Sequence, residues 1–96
     1  MVAGEFEGVR WKVVWNYEDE PNTLCVLHLL KGGALEVWTS LTVKHPSDPP
    51  NREVARRVSL ERLLRGGPLD PEPSFGFSNP REFRREVWRK YWGRKG

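Results

Sequence analysis

Apolar residues occupy every second position between Val9 and Tyr17, a pattern that is typical of a β-strand with one buried face. The apolar set consists of valine and aromatic residues, which pack well on a pleated surface. Two further strands are expected along the chain, one at Thr23–Lys31 and one from Ala34 to about Lys44. The first half of the sequence therefore predicts a three-stranded sheet.

Two turns predict the order and register of these strands. Gly32 and Gly33 form a favoured two-residue hairpin loop, because both can take a positive φ. This loop pairs Leu30 with Leu35 in an antiparallel meander. A four-residue turn at 19–22 likewise pairs the first two strands and places Trp15 opposite Val26. Together they predict one core face, whose members are Trp11, Val13, Trp15, Tyr17, Leu24, Val26, Leu30, Leu35, Val37, Leu41 and Val43, with His28 in the middle.

The opposite face of this predicted sheet is also partly apolar. It carries Val14, Leu27, Leu29 and Trp38, together with Cys25. Such a stripe is too apolar to be left in water, so a helix, a loop or another subunit is expected to cover it.

Two helices are predicted in the second half. The first spans 48–65, begins at Asp48 or alternatively at Asn51, and ends before Gly66. Its apolar positions, Val54 and Val58 and then Leu60 and Leu64, are expected to face the sheet.

The second helix is predicted at 79–93. Asn79 is expected to be its N-cap, and the Glu82 side chain is expected to return to the Asn79 amide as in a capping box. A Pro-rich loop at 66–79, anchored by Phe75 and Phe77, joins the helices. The predicted fold is thus a single α+β domain over 1–96, in which a three-stranded antiparallel β-meander at 9–45 precedes two helices (β-β-β-α-α).

Charge is distributed unevenly along the chain. Residues 1–51 carry a net charge of −3, whereas 52–65 carry +3 and 81–96 carry +5. A basic helical surface mixed with aromatic rings suits nucleic acid, because guanidinium groups pair with phosphate and rings stack on unpaired bases. The predicted contact residues are Arg56, Arg57, Arg81, Arg84, Arg85, Arg89, Lys90 and Trp92.

A simpler interpretation of the same residues is structural. The stripe formed by Phe83, Val87 and Tyr91 has the spacing of a helix face in a core, and a run of charges is commonly a solvated face. Some arginines also have carboxylates one turn away, as Arg57 has Glu53 and Arg65 has Glu61.

Catalytic and metal chemistry is not predicted. Cys25 is the only cysteine, which excludes an intramolecular disulfide and a cysteine zinc cage. His28 and His45 do not belong to any recognised ligand or catalytic spacing. We therefore expect no enzyme, no cofactor and no metal site.

Composition gives two further expectations. No apolar run is long enough for a membrane span and the first residues do not resemble a signal peptide, so a cytoplasmic protein without membrane contact is predicted. Glutamine and isoleucine are absent, and arginine is more frequent than lysine, which is compatible with a thermophile.

One segment resembles a pattern in small phage-encoded accessory proteins of unknown function. His45-Pro46-Ser47-Asp48 matches an H-P-x-D turn, and the Arg-rich helix that follows over 51–64 is similar to theirs. Trp88 and Tyr91 match a basic W-x-x-Y end, whereas Ala55 and Ser59 stand where the pattern prefers Gly and Ala. The resemblance covers about half the chain and implies a viral or mobile-element origin, with the host cytoplasm as location, but transfers no functional residue.

The sequence therefore predicts a small binding protein that contacts nucleic acid, either DNA or RNA, through its helices. The alternative is a protein-interaction module that modulates a host protein or forms a homodimer. In that case the apolar stripe is the expected interface, and its residues are Val14, Leu27, Leu29 and Trp38.

Overall fold

Four antiparallel strands and two helices make up the fold of the computed structural model, in which residues 1–17, 22–43, 51–66 and 71–93 are described. The strands lie in the order β1-β2-β3-β4. Their bounds are β1 Val2–Phe6, β2 Val9–Asn16, β3 Thr23–Lys31 and β4 Ala34–Thr42, and the helices are α1 Arg52–Arg65 and α2 Pro80–Gly93. The prediction of an α+β fold with an antiparallel sheet and two helices is confirmed, but the prediction of three strands is wrong.

Strand β1 is the element that the sequence pattern missed. It pairs with β2 through a two-residue turn in which Glu7 and Gly8 both have positive φ, at 49° and 77°. Val2 lies opposite Val13 and is only 4% exposed, so the strand contributes to the core. Its five residues are too few and too mixed to show a clear alternation.

The Gly32-Gly33 turn forms as predicted, with φ of 54° and 86°, and it pairs Leu30 with Leu35. The predicted register of β2 with β3 is wrong by one residue, because Trp15 lies opposite Cys25 rather than Val26. Since successive side chains of a strand point to opposite faces, this slip exchanges the two faces of β3 and β4.

The buried face of the sheet consequently differs from the predicted one. Cys25, Leu27 and Leu29 are fully buried, together with Trp11 and Val13 of β2. Most of the apolar stripe expected on the outside is therefore covered by the helices and the 71–79 segment of the same chain, two of the predicted alternatives, whereas Val14 lies on the opposite side of the sheet.

The other side of the sheet, the open face, carries most of the residues predicted for the core. Both helices and the aromatic residues of 71–79 pack on the opposite side. Leu30, Leu35, Val37, Leu41 and Val43 are between 42% and 64% exposed. The apolar part of the open face consists of Val14, Leu24, Val26, Leu30, Leu35, Val37 and Leu41, with His28 and Thr39 among them, and its β1–β2 side carries Glu5, Arg10 and Lys12.

Helix α1 packs on the face of the sheet that bears Cys25. Cys25 of β3 and Ser59 of α1 are both fully buried, as are Leu60 and Leu64 of the same helix. Small side chains at two such positions are compatible with close packing of a helix on a sheet. Val54, which was predicted to face the sheet, is instead 42% exposed.

Both helix N-termini have an asparagine cap. Asn51 accepts hydrogen bonds from the amides of Glu53 and Val54, whereas the alternative cap, Asp48, lies outside the described residues. At α2, Asn79 accepts a bond from the amide of Glu82 at 3.2 Å, as predicted.

The second half of the predicted capping box is not formed at α2. The amide of Asn79 donates at 3.0 Å to Oε2 of Glu7, while the other carboxylate oxygen of Glu7 accepts from the amide and hydroxyl of Ser78. Glu82 pairs with Arg85 instead. The β1–β2 turn therefore supplies the carboxylate that fixes the start of α2.

An aromatic cluster closes the core where the 71–79 segment meets α2. Phe83 lies at its centre, with ring centroids 4.4 Å from Phe77, 5.6 Å from Phe75 and 5.9 Å from Trp11. Phe75 and Phe77 are buried, as expected of the residues that anchor this connection.

Candidate nucleic-acid interface

The two helices cover the same side of the sheet and contact each other. Helix α1 packs on β3 and β4, and α2 packs on β1. The Tyr91 hydroxyl near the end of α2 donates a hydrogen bond of 2.7 Å to Oε1 of Glu53 near the start of α1. We call the described residues 51–66 and 71–93 the helix layer, and residues 1–17 and 22–43 the sheet layer.

Formal charge divides between these layers. The helix layer contains ten Lys and Arg residues and five Glu residues, a net charge of +5. The sheet layer contains three of each sign and is neutral. The net positive charge of the described residues thus lies on one side of the molecule, as expected if an anion binds there.

Arg56 is held by other groups of the protein. Its guanidinium donates to Glu53 at 2.8 Å and to the Tyr17 hydroxyl at 3.2 Å. These bonds raise the pKa of Arg56 above its already high ordinary value, with the contact to Glu53 the largest cause. The Arg56 carbonyl also accepts a bond from the Trp15 indole. Arg56 therefore joins α1 to the sheet rather than reaching out for phosphate.

Three predicted arginines of α2 form ion pairs with carboxylates. Arg84 pairs with Glu72 at 3.1 Å and is largely covered, because its side chain is 16% exposed. Arg85 pairs with Glu82 at 3.4 Å, and Arg89 pairs with Glu86. The side chains of Arg85 and Arg89 are 65% and 75% exposed, and such surface pairs are weak enough to exchange for a phosphate.

The other three predicted contact cations have no such carboxylate partner in the described part of the chain. Arg57, Arg81 and Lys90 are exposed and form no ion pair there. The expected pair between Glu53 and Arg57 is not formed, because Glu53 binds Arg56, whereas that between Arg65 and Glu61 is present at 2.9 Å.

Arg81 and Arg62 add two observations to this set. Arg81 lies in the first turn of α2, where the helix dipole disfavours a cation, so helix stability does not account for it. Arg62, which the sequence analysis did not include among the contact residues, is also exposed and without an ion pair among the described groups. In the sequence, the positions one turn before and after Arg62 hold no Asp or Glu, and this pattern could have identified Arg62 as a contact residue.

Tyr91 organises the aromatic residues at the end of α2. Its ring contacts Trp15, Trp88 and Trp92 edge-on, with centroid distances of 5.8, 5.5 and 5.1 Å. Trp92 also stacks on Trp88, with 22° between the ring planes, and it remains 48% exposed. An exposed ring thus lies at the end of α2 that contacts the start of α1.

The four residues predicted as a protein interface do not share a surface. Leu27 and Leu29 are fully buried beneath the helices. Trp38 donates its indole N–H to Glu36 at 2.9 Å and packs edge-on against Phe75. Val14 lies on the open face. The one-residue error in the β2–β3 register explains why these residues were grouped together.

Thiol and imidazole groups do not converge within the described residues. Burial raises the pKa of the Cys25 thiol to about 12, which keeps the sulfur protonated. His28 is half-buried on the open face rather than in the core, and its Nδ1 has no hydrogen-bond partner in the described structure. Over these residues, no three His, Cys, Asp or Glu side chains are grouped as metal ligands would be.

None of the described helices has the length and apolar character needed to cross a membrane. No family model, curated protein or solved structure matches the chain.

Proposed function

We propose that the protein binds nucleic acid through the outer surface of its helix layer. The observation that carries this proposal is the separation of net charge, which is +5 for the described helix layer and zero for the described sheet layer. A polyanion gains affinity from such a surface by releasing its condensed counterions when cations replace them.

The contact between the start of α1 and the end of α2 is the part of the helix layer that best fits this role. Arg57 lies one turn beyond Glu53 on α1, and Lys90 precedes Tyr91 on α2. Both cations are exposed and lack a carboxylate partner in the described structure. Arg85 and Arg89 supply further charge by exchanging their surface pairs, whereas Arg56 and Arg84 have structural roles.

The test compares two double variants that remove the same charges from opposite layers. Arg57→Gln with Lys90→Gln removes one arginine and one lysine from the helix layer, and Arg10→Gln with Lys12→Gln removes the same types from the exposed side of β2. Affinity for a duplex and for a single-stranded oligonucleotide is measured by fluorescence anisotropy over a series of salt concentrations.

Only the helix-layer variant is expected to lose affinity, on every sequence tested. Its plot of log K against log salt should flatten by about 0.9 for each phosphate of duplex DNA that the variant no longer neutralises. Equal losses in both variants would contradict the assignment to the helix layer. A wild-type protein without salt-sensitive affinity for any DNA or RNA would refute nucleic-acid binding altogether.

The exposed Trp92 ring distinguishes the kind of nucleic acid. If it stacks on an unpaired base, Trp92→Ala should weaken binding to single strands by about 1–3 kcal/mol and leave duplex binding nearly unchanged. Equal weakening on both would show that the ring acts through the fold, by its contacts with Trp88 and Tyr91.

A further inference from the structure

The open face is a large apolar surface in the described structure. Leu35, Leu41 and Val37 are 60%, 54% and 50% exposed. They lie on one side of β4, where Leu35 is opposite Leu30 of β3 and Leu41 is opposite Leu24. Contiguous apolar surface on this scale is rare on monomeric soluble proteins and marks a contact site.

The size of the open face matches what one partner of a stable interface contributes. The four strands have five, eight, nine and nine residues, so at about 3.3 Å per residue and about 4.8 Å per strand this side of the sheet has a projected area of about 500 Å². Two such faces packed together would bury about 1,000 Å², which is the lower limit for a specific protein interface.

Charge on the open face suits a second copy of the same surface. The centre, around Val26 and Val37, contains no Lys, Arg, Asp or Glu side chain, so two copies meet there without burying one of these charges. The charged side chains lie towards the β1 edge, where Glu5 lies opposite Arg10 and Lys12 follows. This edge contains both signs, as is usual for the polar rim around an apolar interface core.

Charge on the rest of the molecule favours the same arrangement. The helix layers carry +5 each and would repel one another if they met. Contact through the neutral sheet layers places the two helix layers on opposite outer sides, separated by both sheets. Electrostatic repulsion therefore selects the open face among the surfaces available for self-association.

We propose that a second copy of this chain covers the open face, with the two sheets packed face to face across a two-fold axis. The interface centre is formed by Val26, Leu35, Val37 and Leu41 of both copies, and the aligned packing angle usual for stacked sheets, near −30°, applies. The assembly is a β-sandwich with a basic helix layer on each outer side. This inference stands on the open face alone and does not depend on nucleic-acid binding.

The test measures molar mass by sedimentation equilibrium over a range of protein concentrations. The wild-type protein is expected at twice the chain mass of 11.2 kDa. Val37→Glu should convert it to a folded monomer. The Val37 side chain is exposed in a single copy, so the charge does not disturb the fold, but it lies at the centre of the proposed interface, where a buried charge prevents dimer formation. Val54→Glu is the matched control, since Val54 is 42% exposed on the helix layer, and this variant should remain dimeric.

Other outcomes overturn the proposal. A wild-type protein that stays monomeric at several hundred micromolar would exclude self-association through this face, and a folded Val37→Glu dimer would show that copies associate elsewhere, for example along the β4 edge. If Val37→Glu fails to fold, Thr39→Glu places a charge on the same face without removing an apolar group. A folded Thr39→Glu variant that remains dimeric contradicts the proposal equally.

Discussion

The Tyr91 hydroxyl and the Glu53 carboxylate, 2.7 Å apart, join the end of α2 to the start of α1. The second oxygen of the same carboxylate accepts from Arg56 at 2.8 Å, and Arg56 in turn donates to Tyr17. A short chain of polar contacts thus links both helices to the end of β2. The relative position of the two basic helices depends on it.

Removal of the Tyr91 hydroxyl should therefore destabilise the fold. Tyr91→Phe is expected to lower the free energy of unfolding by about 1–2 kcal/mol, because the variant cannot donate a hydrogen bond to the partly buried carboxylate, while the ring packing is kept. Urea denaturation followed by tryptophan fluorescence measures the change.

A double-mutant cycle with Glu53→Ala isolates this contact. The two substitutions should be non-additive by at least about 0.5 kcal/mol, because they remove the same interaction. Additive losses would show that Tyr91 and Glu53 act independently.

Glu7 should make stability depend on pH. Hydrogen bonds from the side chain and amide of Ser78, and from the Asn79 amide, hold the pKa of Glu7 below its ordinary value of 4.5. Between the two pKa values of Glu7, the unfolded chain consequently binds more protons than the folded one. The stabilisation of the fold by the Glu7 carboxylate is therefore complete above pH 4.5 and is lost as the pH falls through the lower, folded-state pKa.

Glu7→Ala is thus expected to lower the melting temperature at pH 7, with a difference from wild type that shrinks in acid. Glu5→Ala is the control, because Glu5 lies on β1 but makes no bond to the start of α2. A Glu7 effect that is unchanged between pH 7 and pH 3 would contradict the role of its carboxylate.

Gly4 is required by the close approach of a tryptophan ring. A Cβ at this position would lie 2.9 Å from Cζ2 of Trp11, whose ring packs against Phe83 and is only 2% exposed. Gly4→Ala should cost about 1–3 kcal/mol through overpacking. Gly93→Ala meets no atom within 4 Å and should be neutral or stabilising in the same thermal unfolding measurement. Similar changes for both variants would argue against this packing.

Cys25 should be unreactive while the protein is folded. The thiolate is the nucleophilic form, and burial both raises the thiol pKa to about 12 and excludes reagents. We expect Ellman's reagent at pH 8 to react at least roughly 100-fold more slowly in buffer than in denaturant. Equally fast reaction in both would show that β3 does not bury this face.

The sequence was informative where a residue pattern is local. The Gly32-Gly33 turn, the Asn79 cap and the buried stripe of α2 each depend on residues close together in the chain, and each forms as predicted. The uneven distribution of positive charge along the chain could also be predicted from the sequence, whereas the position of the net positive charge in one layer could be seen only in the fold.

Two features depended on distant contacts and were missed. Residues 24–30 are apolar on both sides of the strand, so alternation did not identify the buried face, and the register of β2 with β3 alone decided it. Cys25 and Ser59, which are both fully buried, are 34 positions apart, so no local pattern links them. The hydrogen bond from Arg56 to Tyr17 could not be predicted either, because the two residues are 39 positions apart in the chain.

Nucleic-acid binding by the helix layer is tested most directly by a map of amide chemical-shift changes when a short oligonucleotide is titrated into the ¹⁵N-labelled protein. We predict changes in the helix layer, around Arg57 on α1 and around Lys90 and Trp92 on α2, while the amides of Val26 and Val37 on the open face stay unchanged. Changes centred on Val26 and Val37 instead would contradict the assignment of nucleic-acid binding to the helices.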